Sequence, residues 1–406
     1  MTKSLPITDE DDISTKRTKW RNLAAFWILG LCNNYGYVVM LSAAHTILSN
    51  RFGAANNTDV SDISNNSTIR DCNPVSTGAI LLADILPALL IKFVAPFLPY
   101  LIHARLATCV IFSAAGLILV ALGTAQWMAL LGVVLTSLSS GLGEVTLLAY
   151  SHQFSKDVIS TWSSGTGGAG VIGAGSYAGL TLLMSDEDTL MLMLIVPFVE
   201  AATFWLLLVH PSPGRHSITK NDVDSQEQII ETREMTFVEK LRLVPKLLKF
   251  MVPLGLVYLF EYFINQGLFE LLDVKVDWLK GQNLYRWLNL DYQIGVFISR
   301  SSVNLITINK IWIMSVLQLI NVIILTCESV FYFMHNAWIV LALVLWEGLL
   351  GGAAYVNTFY RISKEVPLAE RQASLGITTM ADSIGIALAG WISMPVHNAI
   401  CKLPKP

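Results

Sequence analysis

Residues 106–125 read LATCVIFSAAGLILVALGTA, and no charged side chain interrupts this run. A helix that rises about 1.5 Å per residue needs about 20 apolar residues to cross the ~30 Å hydrocarbon layer of a bilayer. Similar runs alternate with short polar breaks from Trp20 to about His397. Of the 406 residues, 53% are hydrophobic and only 14% are charged. This composition is typical of a polytopic membrane protein.

The apolar runs predict an all-α bundle of about eleven transmembrane helices. We place the spans at 21–48, 76–101, 106–125, 127–151, 158–183, 189–210, 250–272, 287–306, 311–333, 337–359 and 372–396. The polar segment 211–246 is the longest interruption and separates six spans from five. We therefore expect two halves, 21–210 and 250–396, joined by a cytosolic linker at 211–249. Tails at 1–20 and 397–406 complete the chain.

Basic residues predict the orientation of the bundle, because loops rich in Lys and Arg stay in the cytosol. They cluster in the N-terminal tail, in the linker and after span ten: Lys16, Arg17, Lys19, Arg21; Arg215, Lys220, Arg233, Lys240, Arg242, Lys246, Lys249; Arg361, Lys364, Arg371. The loop 49–75 falls on the opposite side and contains three N-glycosylation sequons, at Asn56, Asn65 and Asn66. We expect a cytosolic N-terminus, a glycosylated lumenal loop and, with eleven spans, a lumenal C-terminus.

Two pairs of spans suggest an internal duplication. Span four contains Ser140–Glu144 and span ten contains Glu347–Gly352, and a tyrosine follows each of them (Tyr150 and Tyr355). These spans are six apart, and spans one and seven correspond loosely at the same offset. Chance recurrence of small and polar residues is the alternative, but the shared offset favours a six-plus-six duplication that lacks its last span.

Ionisable residues inside the spans are few, and each costs roughly 2.5–3.5 kcal/mol at the bilayer centre. They are Asp84, Lys92, Glu144, Glu200, Glu261, Glu270, Arg300, Glu328, Glu347 and Asp382. Span seven is the richest in polar groups, with Tyr262, Asn265 and Gln266 between Glu261 and Glu270. Such a stripe indicates either a cavity or a helix contact, and we favour the cavity. Span one carries a similar uncharged stripe at Asn33, Asn34 and Tyr37.

Two cations inside the spans have alternative interpretations. Lys92 and Arg300 are the best placed to meet an anionic group. Lys92 could instead pair with a carboxylate such as Glu144 or extend to the interface. Arg300 could simply be a basic anchor at the cytosolic end of span eight.

Several other patterns carry little chemistry. Gly165–Gly170 matches the spacing G-x-G-x-x-G, but no strand precedes it, so we interpret these glycines and the Gly175–Gly179 pair as packing or sliding surfaces between the two halves. Three of the five cysteines (Cys32, Cys72, Cys109, Cys327 and Cys401) lie in apolar runs, so no disulfide framework is expected. No metal-ligand cluster or nucleophile–base arrangement is evident. We expect no cofactor, no metal, no nucleic-acid partner and no enzymatic activity.

Seven long strings of residues carry a resemblance to a known family. They are Gly30–Asn34, Tyr37–His45, Leu81–Pro87, Ser139–Thr146, Trp162–Gly170, Glu261–Leu272 and Glu347–Phe359. In these strings, and from about Trp20 to Cys401, the chain resembles the battenin family, the lysosomal membrane proteins whose loss causes Batten disease. The resemblance implies a major-facilitator-like fold, a glycoprotein of lysosomes and late endosomes, and a role in clearing glycerophosphodiesters. It also implies functional importance for Glu261 and Arg300.

Two family features are altered in this chain. Five residues follow Cys401, so a C-terminal Cys-a-a-X prenylation box is not terminal here. The acidic dileucine signal of the central loop has its nearest match at Asp224–Ile230, with the acid one position from the usual spacing.

A major-facilitator-like transporter places its substrate between its halves, mainly against spans one, four, seven and ten. The pathway candidates for substrate or protons are Asn33, Asn34, Tyr37, Lys92, Glu144, Glu261, Asn265, Gln266, Arg300, Tyr355 and Asn357. Lys92 or Arg300 would neutralise the phosphate of a glycerophosphodiester, and amides and tyrosines would contact its hydroxyls. Glu144 or Glu261 would carry a proton from an acidic lumen to the cytosol. The rival functions are export of a cationic amino acid such as arginine, and a non-transporting scaffold that binds trafficking proteins through the 211–246 loop.

Overall fold

A computed structural model describes residues 9–47, 77–211, 235–272 and 284–404, and these ranges are almost entirely helical. The helices are α1 Asp9–Ile47, α2 Thr77–Val94, α3 Ile102–Leu122, α4 Gln126–Tyr150, α5 Asp157–Leu180, α6 Asp186–Leu192, α7 Ile195–Ala202, α8 Phe237–Gly267, α9 Leu284–Ser301, α10 Ile311–Phe331, α11 Ala337–Glu365, α12 Leu368–Thr378 and α13 Met380–Cys401. The sequons at Asn56, Asn65 and Asn66, Cys72 and the dileucine-like segment lie outside the described residues.

The thirteen helices of the described ranges form eleven rods. A turn of π-helix at Thr203–Leu207 extends α6 and α7 into one segment, and α12 continues into α13 with a break at Thr379. Eight of the described segments are long and apolar enough to cross a membrane. These findings confirm the predicted all-α bundle of about eleven transmembrane helices.

The packing pattern of the first half recurs in the second. In the first half α1 packs against α5, and α2 against α4; in the second half α8 packs against α13, and α9 against α11. Between the halves, α5 packs against α9 and α2 against α13. If each of the eleven rods is counted as one span, adding six to the span numbers of a pair in the first half gives the matching pair in the second half. This correspondence confirms two pseudo-repeated halves.

One end of the bundle carries a set of basic side chains, and we call this end the basic face. Its contacts are Lys19 Nζ to Asp157 Oδ2 at 2.6 Å, Lys240 Nζ to the Pro96 oxygen at 2.8 Å, Lys246 Nζ to Glu370 Oε1 at 3.5 Å and Lys249 Nζ to Glu365 Oε2 at 3.3 Å. They join the beginnings of α1, α5, α8 and α12 to the ends of α2 and α11. These helix ends therefore share one face, as the alternating crossing of successive spans requires.

Helix α8 begins at Phe237, inside the segment predicted as linker. Thr236 accepts a hydrogen bond from the Glu239 backbone, and the Glu239 side chain accepts one from the Thr236 backbone, which makes a complete capping box. The first turns are rich in Lys and Arg and lie along the basic face, so a search for apolar runs misses them.

The cysteines divide into two groups. Cys32 and Cys109 are buried and Cys327 is half-buried, and all three are free. Cys401, in contrast, is disulfide-bonded, so it offers no free thiol to a prenyl group.

Glycines allow helix backbones to approach closely in both halves. A side chain at Gly165 of α5 would fall on the Trp27 carbonyl of α1. A side chain at Gly348 of α11 would likewise fall on the Tyr292 carbonyl of α9. Within the Gly165–Gly170 run, added side chains at Gly167 and Gly170 would meet Phe297 and Gln293 of α9, so the predicted packing surface between the halves is confirmed. The expected role of Gly175 and Gly179 is wrong, because an added Cβ there meets no described atom within 4 Å.

Alanine at Gly165 or Gly348 is expected to destabilise the bundle by about 1–3 kcal/mol, because the backbone behind each position cannot move aside without separating two helices. Gly175→Ala is the matched control, and its better helix propensity makes it neutral or slightly stabilising. Thermal unfolding of the purified variants in detergent measures the difference. Equal melting temperatures for all three variants would contradict this packing model.

Candidate functional site

A buried ion cluster joins the two halves of the bundle. Lys92 of α2 lies 2.6 Å from Glu144 Oε2 of α4 and 3.2 Å from Asp382 Oδ1 of α13. All three side chains are less than a tenth exposed. We call this triad the ionic lock, since its lysine and one carboxylate come from one half and the other carboxylate comes from the second half. The internal pairing of Lys92 is thus the interpretation that the structure supports.

Tyr355 of α11 extends the ionic lock toward α5 and α9. Its hydroxyl donates to Glu144 Oε1 at 2.5 Å, and Trp162 Nε1 donates to that hydroxyl at 3.4 Å. The guanidinium of Arg300 stacks on the Tyr355 ring, with Cζ 4.1 Å from the ring centroid. This is a favourable cation–π geometry.

Arg300 points into the bundle rather than toward the basic face. Its Nη1 donates to Thr166 Oγ1 at 2.6 Å and its Nη2 donates to the Tyr258 hydroxyl at 2.8 Å. Its Nε has no hydrogen-bond partner, and the side chain is buried. Among the described residues no carboxylate lies within salt-bridge distance of Arg300. It is therefore a buried cation held by neutral hydroxyls and an aromatic ring, which is an environment that suits an incoming anion.

Glu261 of α8 lies near Arg300 but does not pair with it directly. The Tyr292 hydroxyl donates to Glu261 Oε1, whereas Oε2 has no partner in the described structure. The carboxylate occupies the space that a side chain at Gly351 would fill. Next to Glu261, the Tyr262 hydroxyl accepts a hydrogen bond from the Tyr37 hydroxyl of α1 at 3.5 Å, which is a further contact between the halves.

Two amide residues of the first half lie beside α4. Asn33 Nδ2 donates to the backbone carbonyl oxygen of Ser140 at 3.1 Å and to Asn34 Oδ1 at 3.4 Å. Asn33 Oδ1 has no partner and occupies the space beside Gly143. These side chains fasten α1 to α4 and leave one buried acceptor.

The amides of the second half are more dispersed than the sequence suggested. Asn357 donates to the Ala353 oxygen and accepts from the Ile308 backbone, so it fixes the loop before α10 and we leave it out of the proposed pathway. Gln266 contacts the Tyr285 hydroxyl. Asn265 is buried and its Oδ1 has no partner in the described structure.

Sequence reasoning missed several residues of the cluster. Asp382 was recognised as costly to bury but not as a partner of Lys92, and Thr166, Tyr258 and Tyr292 were not singled out. Their partners lie more than 30 positions away in the chain, so no local spacing reveals them. For Asp382 the only signal was its charge inside an apolar span.

Comparisons with known proteins agree with this architecture. The family model described as "CLN3 protein" matches residues 24–403. Battenin of Canis lupus familiaris is 43% identical, covering 96% of this chain and 93% of its own, and Protein BTN1 of Yarrowia lipolytica is 37% identical, covering 93% and 94%. The crystal structure of the human organic anion transporter MFSD10 matches the fold with a TM-score of 0.61 at 11% identity, over 94% of this chain and 95% of that one.

Replacing Lys92 with Met is expected to destabilise the protein by about 3–5 kcal/mol, because Glu144 and Asp382 would lose the cation between them. The triple variant K92M/E144Q/D382N removes all three charges and should regain most of the lost stability. Thermal unfolding of both variants tests this. A single variant as stable as the wild type would show that the ionic lock does not hold the halves together.

Proposed function

The chain belongs to the CLN3 protein family, and from this premise we propose that it is a lysosomal and late-endosomal transporter that exports glycerophosphodiesters. Family and fold support the coarser role of a membrane transporter. The substrate and the compartment are the finer parts of the proposal. They rest on the resemblance and on the chemistry of Arg300.

Arg300 is the residue that we propose to hold the substrate phosphate. Lys92, the other candidate, is already neutralised by Glu144 and Asp382. Arg300, in contrast, donates hydrogen bonds only to hydroxyls, and its Nε has no partner in the described structure. A guanidinium binds a phosphate through two parallel charge-assisted hydrogen bonds. The hydroxyls of Thr166 and Tyr258, which Arg300 now contacts, would then serve the phosphate or the glycerol.

We propose that the basic face lies in the cytosol and that loop 49–75 lies in the lumen. The Lys and Arg side chains of that face support the orientation through the positive-inside rule. Cys401 lies at the opposite end of α13 from the basic face and is disulfide-bonded, which suits an oxidising compartment.

The orientation predicts N-linked glycans on Asn56, Asn65 or Asn66. Enzymatic deglycosylation should increase the electrophoretic mobility of the wild-type protein. It should leave a variant with all three residues changed to Gln unaffected. A wild-type protein that does not respond to the enzyme would contradict the lumenal placement of this loop.

Export of a cationic amino acid such as arginine is the second candidate. Carboxylate oxygens without partners at Glu261, Glu347 and Asp84 favour it, because they would attract a cation. A trafficking scaffold that uses the linker is the third. The buried polar groups of α1, α8 and α9 favour transport over a scaffold, since a scaffold has no use for them inside the bilayer.

In cells that lack this protein, lysosomal glycerophosphodiesters are expected to accumulate, and the wild-type protein should clear them. Arg300→Gln should fail to do so, because an ionic hydrogen bond worth about 1.5–3 kcal/mol is lost and phosphate binding weakens at least about tenfold. Lysosomal metabolite content, measured by mass spectrometry, gives the result.

Lys19→Gln is the control for this experiment, because Lys19 forms only an exposed ion pair on the basic face. Raised arginine with unchanged glycerophosphodiesters would favour the cationic substrate. Normal metabolites with disturbed trafficking would favour the scaffold. Both variants must reach lysosomes for the comparison to hold.

A further inference from the structure

Glu347 is a fully buried acid of α11 that the contacts described so far leave unused. It is 0% exposed, and neither carboxylate oxygen has a hydrogen-bond partner among the described residues. An ionised carboxylate in such surroundings loses its hydration and gains nothing in return. An ionised Glu347 would need a cation or a hydrogen-bond donor beside it, and the contacts of the described residues supply neither.

Glu261 is the acid whose carboxylate lies against the same side of α11 as Glu347. It occupies the space beside Gly351, which follows Glu347 by one helical turn on that side of the helix. Glu261 Oε2 is also without a partner. Three of the four carboxylate oxygens of these two acids are thus buried without a hydrogen-bond donor in the described structure. One proton shared by the two acids would supply a donor.

The groups around the pair are few. Glu261 faces Arg300 and the Tyr292 hydroxyl on α9, Tyr258 and Tyr262 on its own helix, and Glu347 on α11. Arg300 is the only cation among them in the described structure. One cation balances one carboxylate, so a second negative charge on the pair would be uncompensated.

We propose that Glu261 and Glu347 form a carboxylate pair that shares one proton and is the site through which proton movement is coupled to transport. This inference deepens the proposed function and rests on it. Glu144, the other acid considered for this role, is excluded because Lys92 and Tyr355 already engage both of its oxygens. Glu347→Gln keeps the shape of the side chain and removes its ability to exchange a proton.

Infrared spectroscopy of the purified full-length protein in lipid nanodiscs tests the pair without any substrate. At neutral pH the wild-type protein should show the carbonyl band of a protonated carboxyl group, and Glu347→Gln should lose that component. Glu365→Gln is the matched control, because Glu365 is exposed and ion-paired with Arg361 and Lys249. Identical carboxyl bands in the wild type and Glu347→Gln would overturn the proposal. Thermal unfolding of Glu347→Gln verifies that it folds.

Transport by proteoliposomes tests the coupling, with radiolabelled glycerophosphocholine as the probe. Exchange of labelled for unlabelled probe needs no net proton movement, so it measures probe binding by the wild-type protein separately from coupling. Accumulation driven by a pH gradient should fall in Glu347→Gln to the level seen without a gradient, whereas Glu365→Gln should accumulate the probe like the wild type. Wild-type accumulation by Glu347→Gln would overturn the coupling role. A wild-type protein that exchanges no probe would refute the proposed substrate, while the infrared result would still decide whether the pair holds a proton.

Discussion

Lys92 joins the two halves of the bundle through an ion pair that neither half completes alone. Its two carboxylate partners come from α4 and α13, and all three groups lie where hydrocarbon or protein, rather than water, surrounds them. A bilayer interior cannot solvate an unpaired charge, so the position of each helix is constrained by the need to keep this triad together. Tyr355 then connects the ionic lock to Arg300, because its hydroxyl donates to Glu144 and its ring lies against the Arg300 guanidinium.

Close backbone contact is the second constraint, and it acts on the same residues. A side chain at Gly167 of α5 would lie 3.2 Å from Arg300 Cδ and 3.1 Å from Phe297 Cα, so the small residue lets α9 approach. That approach places Arg300 beside Thr166 on the facing helix. In membranes, where lipid is as apolar as the helices, such small-residue contacts replace the hydrophobic effect as the source of helix association. The glycine run and the buried cation are therefore parts of one interface.

The sequence predicted the bundle well and the site only in part. Span number, the two halves and the glycine surface of α5 depend on local composition, and the structure agrees with them. The Lys92–Glu144 pairing was foreseen as an alternative, but Asp382 was not, since 290 positions separate it from Lys92. Asn357 looked like a pathway residue because it follows Tyr355 by two positions. On a helix that spacing turns its side chain away from Tyr355, and it binds the loop before α10 instead.

Arg300 is both the proposed phosphate ligand and the cation that balances the proposed carboxylate pair, and this double role links the two. In the proposed mechanism, the positive charge of Arg300 stabilises the single negative charge of the pair, so a phosphate that neutralises Arg300 removes this stabilisation and favours a second proton on the pair. Linkage is reciprocal, so the second proton in turn favours phosphate binding. An acidic lumen would then load this proton and the substrate together. Loss of the second proton on the cytosolic side would restore the single negative charge of the pair, which would compete with the phosphate for Arg300 and expel it. The proposed coupling of export to the pH gradient thus needs one buried cation shared by two anionic sites, without the ionic lock taking part in the titration.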